Sequence, residues 1–206
     1  FGVGAGEPTG GRAVTQARKQ KIIDQLFTGL TGLLKQRKVT MFDGIGSLGA
    51  DRVVKISGGA SGDVEVSGDS VILATGSVPR TIPGFDVDGT IVLTSDEVLA
   101  LQELPASAVV IGGGAIGCEF ASMMADLGTQ VTILEALPKI LPGVDEDVTA
   151  VVLRSFKKRK IDVKTGVAVT GHTPKSDGSG TTVNFGDGQT IDVEKVVMSV
   201  GRRPLT

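Results

Sequence analysis

Apolar residues recur at helical spacing early in the chain and in short β-rich runs after it. Between residues 22 and 34 the apolar side chains fall three or four positions apart, which predicts an amphipathic helix that packs on a larger body. Gly, Ser and Asp clusters typical of turns then separate four segments of strand-like composition, at residues 39–42, 52–56, 64–66 and 71–74. These segments predict a small β-meander that leads into a buried strand at 71–74.

The second half alternates strand and helix patterns. Apolar runs predict strands at 108–111, 130–134 and 161–164, and helical periodicity predicts helices at 115–127 and 145–159, with Gly128 as a helix stop. This order is a βαβαβ unit, which predicts an α/β fold with a parallel sheet. Further strands are predicted at 167–170, 181–185, 190–193 and 195–200.

The middle of the chain predicts a boundary. Residues 79–89 lack periodicity and contain two prolines, which predicts an extended connection between two bodies and a boundary within residues 90–105. Just after this connection, Thr94 and Glu97 stand at the spacing of a capping box, which predicts a short helix ending near Leu101.

Composition narrows the class of protein. At about 150 residues per domain, 206 residues make one large domain or two small ones. The 21 basic and 23 acidic residues give a net charge of −2, which disfavours binding to nucleic acid or to an acidic membrane surface. No stretch reaches the roughly 18 uncharged apolar residues of a membrane helix. We therefore expect neither nucleic acid nor a membrane as a partner.

The chain contains one cysteine and one histidine. Cys118 can form no intrachain disulfide, and with His172 alone beside it a cysteine-rich zinc site is ruled out. We expect Cys118 to be a buried apolar filler in a reducing compartment, with a nucleophile as the alternative. We expect His172 to be an exposed loop residue, with a catalytic base as the alternative. The basic residues flanking the first helix predict a solvated face, with phosphate contact as the alternative.

One motif points to chemistry. Residues 112–117 read Gly-Gly-Gly-Ala-Ile-Gly, a G-x-G-x-x-G pattern that follows a predicted strand and opens a predicted helix. Gly112 would allow the sharp turn, Gly114 the close approach of a pyrophosphate, and Gly117 the packing of helix on strand. Glu135 ends the next strand, about 20 residues on, where a carboxylate accepts hydrogen bonds from a ribose. Because a carboxylate repels a 2′-phosphate, we predict NAD(H) over NADP(H). The alternative is a plain tight turn with a solvated glutamate.

Three stretches carry a family resemblance: VILATGSVP at 71–79, GGGAIGCEFA at 112–121 and VGRRP at 200–204. They resemble the flavin-dependent pyridine nucleotide-disulfide oxidoreductases, and within that family its dihydrolipoamide dehydrogenase branch. The resemblance implies a Rossmann-like NAD-binding domain with a β-meander at residues 93–206. It also implies a remnant of an α/β FAD-binding domain at residues 1–92, so that the chain would be an internal piece of a longer enzyme.

The resemblance also implies two cofactor sites. The NAD site would comprise Gly112, Gly113, Gly114, Ala115, Ile116, Gly117, Cys118, Glu119, Glu135, Val169 and Gly201. The FAD site would include Gly46, Ala74, Thr75, Gly76 and Ser77. In such enzymes the acid at Glu119 faces the nicotinamide beside the flavin; a helix-surface carboxylate is the alternative here.

The implied activity belongs to the longer enzyme. It would oxidise dihydrolipoamide on the lipoyl domain of a 2-oxo acid dehydrogenase acyltransferase, passing electrons through a disulfide and FAD to NAD+. The resemblance implies a homodimer in the cytoplasm, with the mitochondrial matrix as the alternative. The sequence lacks the pair of redox cysteines, so we expect no turnover from this chain alone. A mercuric reductase or NADH oxidase relative, a non-catalytic NAD-sensing module, and a domain for a mononucleotide or FAD alone stay open as alternatives.

Overall fold

The computed structural model describes residues 11–60 and 62–206. Contacts within the chain divide it into two compact units. The first contains Val14–Thr75, and the second contains Gly11–Ala13 and Gly76–Thr206. No helix in the described parts of the chain combines the length and apolar character needed to cross a bilayer.

The first unit contains a long helix and a three-stranded antiparallel sheet. The elements are α1 (Arg12–Gln36), β1 (Ile45–Leu48), β2 (Val53–Ser57) and β3 (Val64–Ser67), and β2 lies between the other two strands. The predicted helix forms, although it begins ten residues earlier than the apolar stripe. None of its side chains is buried, so the expectation that it packs on a larger body is not met within the described residues.

Two of the predicted strands are wrong. Residues 39–42 and 71–74 are neither helix nor strand, and Ile72 and Leu73 are 89% and 69% exposed rather than buried. An apolar run becomes a strand only when a neighbour completes its hydrogen bonds, and no described strand pairs with either segment. The apolar pattern of the sequence does not predict strand β1, because Gly46 and Ser47 interrupt the alternation of apolar residues there.

The second unit follows the predicted alternation closely. Its elements are β4 (Ser77–Pro79), β5 (Val92–Leu93), α2 (Ser95–Ala100), β6 (Ser107–Ile111), α3 (Ala115–Asp126), β7 (Gln130–Glu135), α4 (Glu146–Lys158), β8 (Asp162–Thr165), β9 (Val169–Pro174), β10 (Thr181–Phe185), β11 (Gln189–Val193), β12 (Lys195–Met198) and β13 (Arg202–Pro204). Five of these strands form a parallel sheet in the order β5-β12-β6-β7-β8. The predicted βαβαβ unit and parallel sheet are therefore confirmed.

The parallel sheet is covered on both faces. Ala108 and Val110 of β6 belong to one hydrophobic cluster with residues of α3 and α4, whereas Val109 and Ile111 belong to a second cluster with residues of β10 and β11. Strands buried on both faces are apolar at every position rather than at alternate ones. This explains why their periodicity is weak while their position along the chain is predictable.

A second sheet covers the face opposite the helices. It is antiparallel, with the order β11-β10-β9. His172 lies in β9, half-buried, with its ring stacked on Phe85 at a centroid distance of 5.1 Å and its Nδ1 2.9 Å from Thr181 Oγ1. The expectation of an exposed loop histidine is therefore wrong, because the polar residues around it hid an edge strand.

The segment before the parallel sheet is packed against it. Residues 80–91 form neither helix nor strand, as their lack of periodicity indicates, but Phe85 among them is completely buried in the second hydrophobic cluster. The following capping box is confirmed, since Thr94 N–H donates to Glu97 Oε2 at 2.7 Å and α2 begins at the next residue.

Candidate functional site

A cavity of about 870 Å³ opens at the carboxyl ends of three neighbouring parallel strands. Gly112 follows β6, Glu135 ends β7 and Ser199 follows β12, and all three line the cavity. Open α/β sheets bind their ligands at this end of their strands, and cavities of this volume suit small molecules and cofactors. The location and size of the cavity therefore make it the candidate site of the second unit.

Two glycines of the motif, Gly112 in the loop after β6 and Gly117 in the first turn of α3, are required by the protein itself. Gly112 has φ +105°, and a Cβ there would overlap the carbonyl oxygen of Ser199. A Cβ on Gly117 would overlap the carbonyl oxygen of Gly112. A side chain at either position would therefore force the loop apart from the strand or the helix beside it.

Gly114 differs from these two glycines. Its φ is −72°, which any residue can adopt, and a Cβ added there would have no atom within 4 Å. Gly114 lines the cavity and caps the N-terminus of α3, whose first turn contains no acidic residue. The fold alone thus gives no reason for a glycine at this position.

The intervening Gly113 is held from behind the loop. Its N–H donates to Glu135 Oε2 at 2.6 Å, and its carbonyl oxygen accepts from Leu141 N–H at 2.7 Å. The other oxygen of Glu135 accepts from Leu137 N–H at 2.7 Å. The Glu135 side chain is thus directed at the glycine loop and remains in the wall of the cavity.

The remaining residues expected at the NAD site lie in different surroundings. Ala115, Ile116, Val169 and Gly201 line the cavity together with Gly112, Gly114 and Glu135. Gly113 in the loop and Gly117 and Cys118 in α3 are absent from the cavity wall. Glu119 is exposed on α3, outside the wall.

Cys118 lies in the first hydrophobic cluster, behind the glycine loop. Its Sγ donates to the carbonyl oxygen of Gly113 at 3.4 Å. Burial, together with the negative charges of Glu135 and Glu119, raises the pKa of the Cys118 thiol to about 11. The buried filler expected from the sequence is confirmed, since a thiol in these surroundings is a poor nucleophile.

The residues expected along FAD are divided between the two units. Gly46 lies in β1, and Ala74 and Thr75 lie in an exposed segment of the first unit. Gly76, with φ +78°, and Ser77, at the start of β4, belong to the second unit. Within that unit, β4 pairs with β13, where the Arg202 side chain donates to Ser77 Oγ at 2.7 Å. None of these five residues lines the cavity.

Sequence reasoning missed several cavity residues. Ser199 is the most informative, since its buried hydroxyl has no hydrogen-bond partner among the described residues. Its N–H donates to the carbonyl oxygen of Ile111 at 2.8 Å, which places it directly beside the glycine loop. Its position at the end of a predicted parallel strand is a signal that could have identified it.

No cluster of three or more His, Cys, Asp or Glu side chains that could hold a metal occurs in the described part of the chain.

Comparison with known families shows which family the chain belongs to. A family profile described as pyridine nucleotide-disulphide oxidoreductase matches residues 4–206. The chain belongs to this family. The family expected from the three short stretches is therefore confirmed.

Relatives with curated names support the same conclusion. The chain is 36% identical to a dihydrolipoyl dehydrogenase of Bacillus subtilis over 91% of its own length and 42% of that protein. It is 34% identical to a dihydrolipoyl dehydrogenase of Trypanosoma brucei brucei over 96% of its length and 43% of that protein. This member of the oxidoreductase family therefore spans about two fifths of the length of these relatives.

Solved structures agree with the fold. The chain is similar to LpdA from Mycobacterium tuberculosis, with a TM-score of 0.87 and 27% identity over 98% of this chain and 45% of that one. It is also similar to the flavoprotein disulfide reductase RclA from Escherichia coli, with a TM-score of 0.82 and 25% identity over 96% of this chain and 44% of that one. The mixed α/β architecture expected for the family is thus confirmed.

Proposed function

We propose that the cavity of the second unit binds NAD(H). The observation that carries this proposal is Gly114, which lines the cavity although neither its backbone conformation nor its neighbours require a glycine. A glycine at this point leaves the backbone bare toward the cavity. A pyrophosphate can then reach the amides and the positive dipole end of the 12-residue α3 without any cationic side chain.

The chemistry of the cavity wall suits both ends of a dinucleotide. The wall is rich in apolar residues, including Ile82, Leu137 and Val169, which can pack on flat aromatic rings. The buried Ser199 hydroxyl offers an unused hydrogen bond beside the glycine loop. The residues present therefore fit the cofactor, and Gly112, Gly114, Ala115, Ile116, Glu135, Val169 and Gly201 would hold it, with Gly113 and Gly117 shaping the loop.

We propose that Glu135 selects NAD(H) over NADP(H). Glu135 is only 8% exposed, yet it belongs to the cavity wall. A ribose with free hydroxyls can donate to the carboxylate oxygens, whereas a 2′-phosphate would bring a second negative charge into poorly solvated surroundings. In this proposal Glu119 would face the nicotinamide, and Cys118 would support the loop from behind.

For the whole protein we propose dihydrolipoyl dehydrogenase activity. The resemblance to the Bacillus and Trypanosoma enzymes supports it. The substrate would be dihydrolipoamide on the lipoyl domain of a 2-oxo acid dehydrogenase acyltransferase, and the protein would be a cytoplasmic homodimer. FAD and NAD would supply the electron-transfer chemistry, while this chain would orient the nicotinamide end through residues such as Gly201.

We propose that residues 93–206 are the NAD-binding domain and residues 1–92 part of an FAD-binding domain. The parallel sheet, whose first strand β5 begins at Val92, supports the first assignment. The segment from Ala74 to Ser77, together with Gly46, would run along the flavin. The family membership supports that assignment, and the exposed Ile72 and Leu73 suit a segment that further structure covers.

Calorimetric titration with NADH and NADPH tests the proposed function. We expect NADH to bind the chain more tightly than NADPH, and equal affinities or no binding would contradict the assignment. A lipoamide assay of the same chain should show no turnover, because a chain with one cysteine cannot form the redox disulfide. Appreciable NAD+ reduction by dihydrolipoamide would refute that expectation.

A further inference from the structure

The two shortest hydrogen bonds of Gly113 are made with residues at and after the end of β7, in addition to the 3.4 Å contact from Cys118 Sγ. Glu135 Oε2 accepts the Gly113 N–H at 2.6 Å, and Leu141 N–H donates to the Gly113 carbonyl oxygen at 2.7 Å. Gly113 precedes Gly114, the residue that faces the cavity. The orientation of these peptide planes therefore depends on a segment more than 20 residues away along the chain.

The carboxylate of Glu135 bridges two segments of backbone. Its Oε1 accepts the Leu137 N–H at 2.7 Å while its Oε2 holds the Gly113 N–H. Hydrogen bonds from amides to a charged acceptor are stronger than those between neutral groups. A carboxylate has about four lone-pair sites, so two stay available for hydroxyl groups of a ligand.

Packing against Ile140 and Glu135 also restricts the Gly113 peptide. A Cβ on Gly113 would lie 2.6 Å from Ile140 Cγ2 and 3.3 Å from the Cβ of Glu135. Ile140 is completely buried in the first hydrophobic cluster and so cannot easily yield. Leu141, which supplies the second hydrogen bond, has a left-handed φ of +52°. The loop conformation is thus set by contacts that exist without any ligand.

We propose that Glu135 is a positioning residue that acts through Gly113, and that it holds the glycine loop in its phosphate-binding shape before the cofactor arrives. This inference rests on the proposed dinucleotide function. In the G-x-G-x-x-G pattern the strand-end acid is assigned to the ribose hydroxyls. Here the same carboxylate would serve the pyrophosphate end of the ligand as well.

Amide hydrogen exchange of the ligand-free chain tests the bridge directly. In Glu135→Gln a single carbonyl oxygen replaces two acceptors, so at most one of the two hydrogen bonds can persist. We expect the amide of Gly113 or of Leu137 to exchange about tenfold faster or more than in the wild type. Glu103→Gln is the matched control, because this glutamate is exposed, lies outside the segments that hold Gly113 and should leave both amides unchanged.

Amide exchange of a second variant, Glu135→Asp, and of the wild type completes the test. Glu135→Asp retains the charge but withdraws it by one methylene, so the Gly113 amide should again exchange faster. In the wild type both amides should be protected. Unprotected Gly113 and Leu137 amides in the wild type, or exchange in both variants equal to that of the wild type, would overturn the proposal.

Binding measurements with two nucleotides then distinguish a positioning role of Glu135 from a role in ribose binding alone. If Glu135 sets the loop in addition to binding the ribose, Glu135→Gln should weaken 2′,3′-dideoxy-ADP by about threefold or more and ADP by at least as much, because both nucleotides present a diphosphate to the loop. If Glu135 contacts only the ribose, the variant should weaken ADP and leave dideoxy-ADP unchanged, which would contradict the positioning role. A wild type that binds neither nucleotide would refute the dinucleotide function, while the exchange result would still decide the bridge.

Discussion

Gly114 and Gly117 lie three residues apart in the glycine motif, but a glycine is needed at each for a different reason. At Gly117 the carbonyl oxygen of Gly112 occupies the space that a Cβ would need, so the protein excludes a side chain. At Gly114 the space is open and the backbone has an ordinary φ of −72°. Substitution by alanine can therefore separate the requirements of the fold from those of a ligand.

We expect Gly114→Ala to leave the free energy of unfolding unchanged or to raise it by up to about 1 kcal/mol, because alanine restricts the unfolded chain. The affinity of the Gly114→Ala variant for NADH should fall about tenfold or more, because the added methyl group would clash with the bound pyrophosphate. Gly117→Ala should instead lose about 1–3 kcal/mol of stability through overpacking. Urea unfolding and NADH calorimetry on both variants measure these effects, and wild-type affinity in Gly114→Ala would contradict the assignment.

Charge reversal at Glu135 tests the choice between the two dinucleotides. Glu135→Arg removes the repulsion of a 2′-phosphate and adds a cation, so the ratio of NADPH to NADH affinity should rise by at least about tenfold, or about 1.4 kcal/mol. The absolute affinity for NADH should fall, because the Gly113 and Leu137 amides lose their acceptor. An unchanged ratio in parallel titrations would count against Glu135 as the selecting residue.

The thiol of Cys118 provides a test that needs no ligand. With its pKa raised to about 11 by burial and by the nearby charges of Glu135 and Glu119, only about one molecule in a thousand holds a thiolate at pH 8. We expect a thiol reagent to label the folded chain slowly and the urea-unfolded chain rapidly. Fast labelling of the folded chain at pH 8 would show that the thiol is neither buried nor shifted.

Among the helices and strands, the short helix α2 is one whose stability depends on its capping box. The Thr94 hydroxyl donates to Glu97 Oε2 at 2.6 Å and accepts from the Asp96 N–H at 3.3 Å. The hydrogen bond from the Thr94 hydroxyl lowers the pKa of the Glu97 carboxyl, and a bond from the Thr94 backbone lowers it further. Six residues are too few for a helix to be stable without such contacts.

The lowered pKa makes this stabilisation depend on pH. The contribution of ionised Glu97 is fully present above its pKa in the unfolded chain, near 4.5, and is lost as the pH falls through the lower pKa of the folded state. We expect Thr94→Ala to lose about 1 kcal/mol at neutral pH and less near pH 3. Urea unfolding at both pH values measures this, with Glu146→Gln as the control. A loss independent of pH would contradict the role of the carboxylate.

Strands that are buried on both faces were predictable from the sequence, and strands that depend on a partner were not. The runs at β6, β7 and β12 are apolar because both hydrophobic clusters cover them. Residues 71–74 have the same composition but pair with no described strand, while β1 forms across from β2 despite its Gly and Ser. The local composition of a segment predicts whether it is buried, but it does not predict which other segment pairs with it.

In the second unit, the sequence predicts the glycine loop and the acid of the candidate site, but it does not predict the residues that hold the loop in place. The glycine pattern and Glu135 follow from spacing along one βαβ unit. Leu141, Ile140 and Ser199 reach the same loop from distant positions in the sequence, and only the folded sheet brings them there.

The most direct test of the account is a titration of the chain with NADH followed in its amide NMR spectrum. We expect the largest shifts at residues 112–116, at Glu135 and at Val169, where the three strand ends line one cavity. Residues of α4, remote from the cavity wall, should move little. Absence of binding, or shifts centred away from the glycine loop, would contradict the proposal that this unit binds NAD(H).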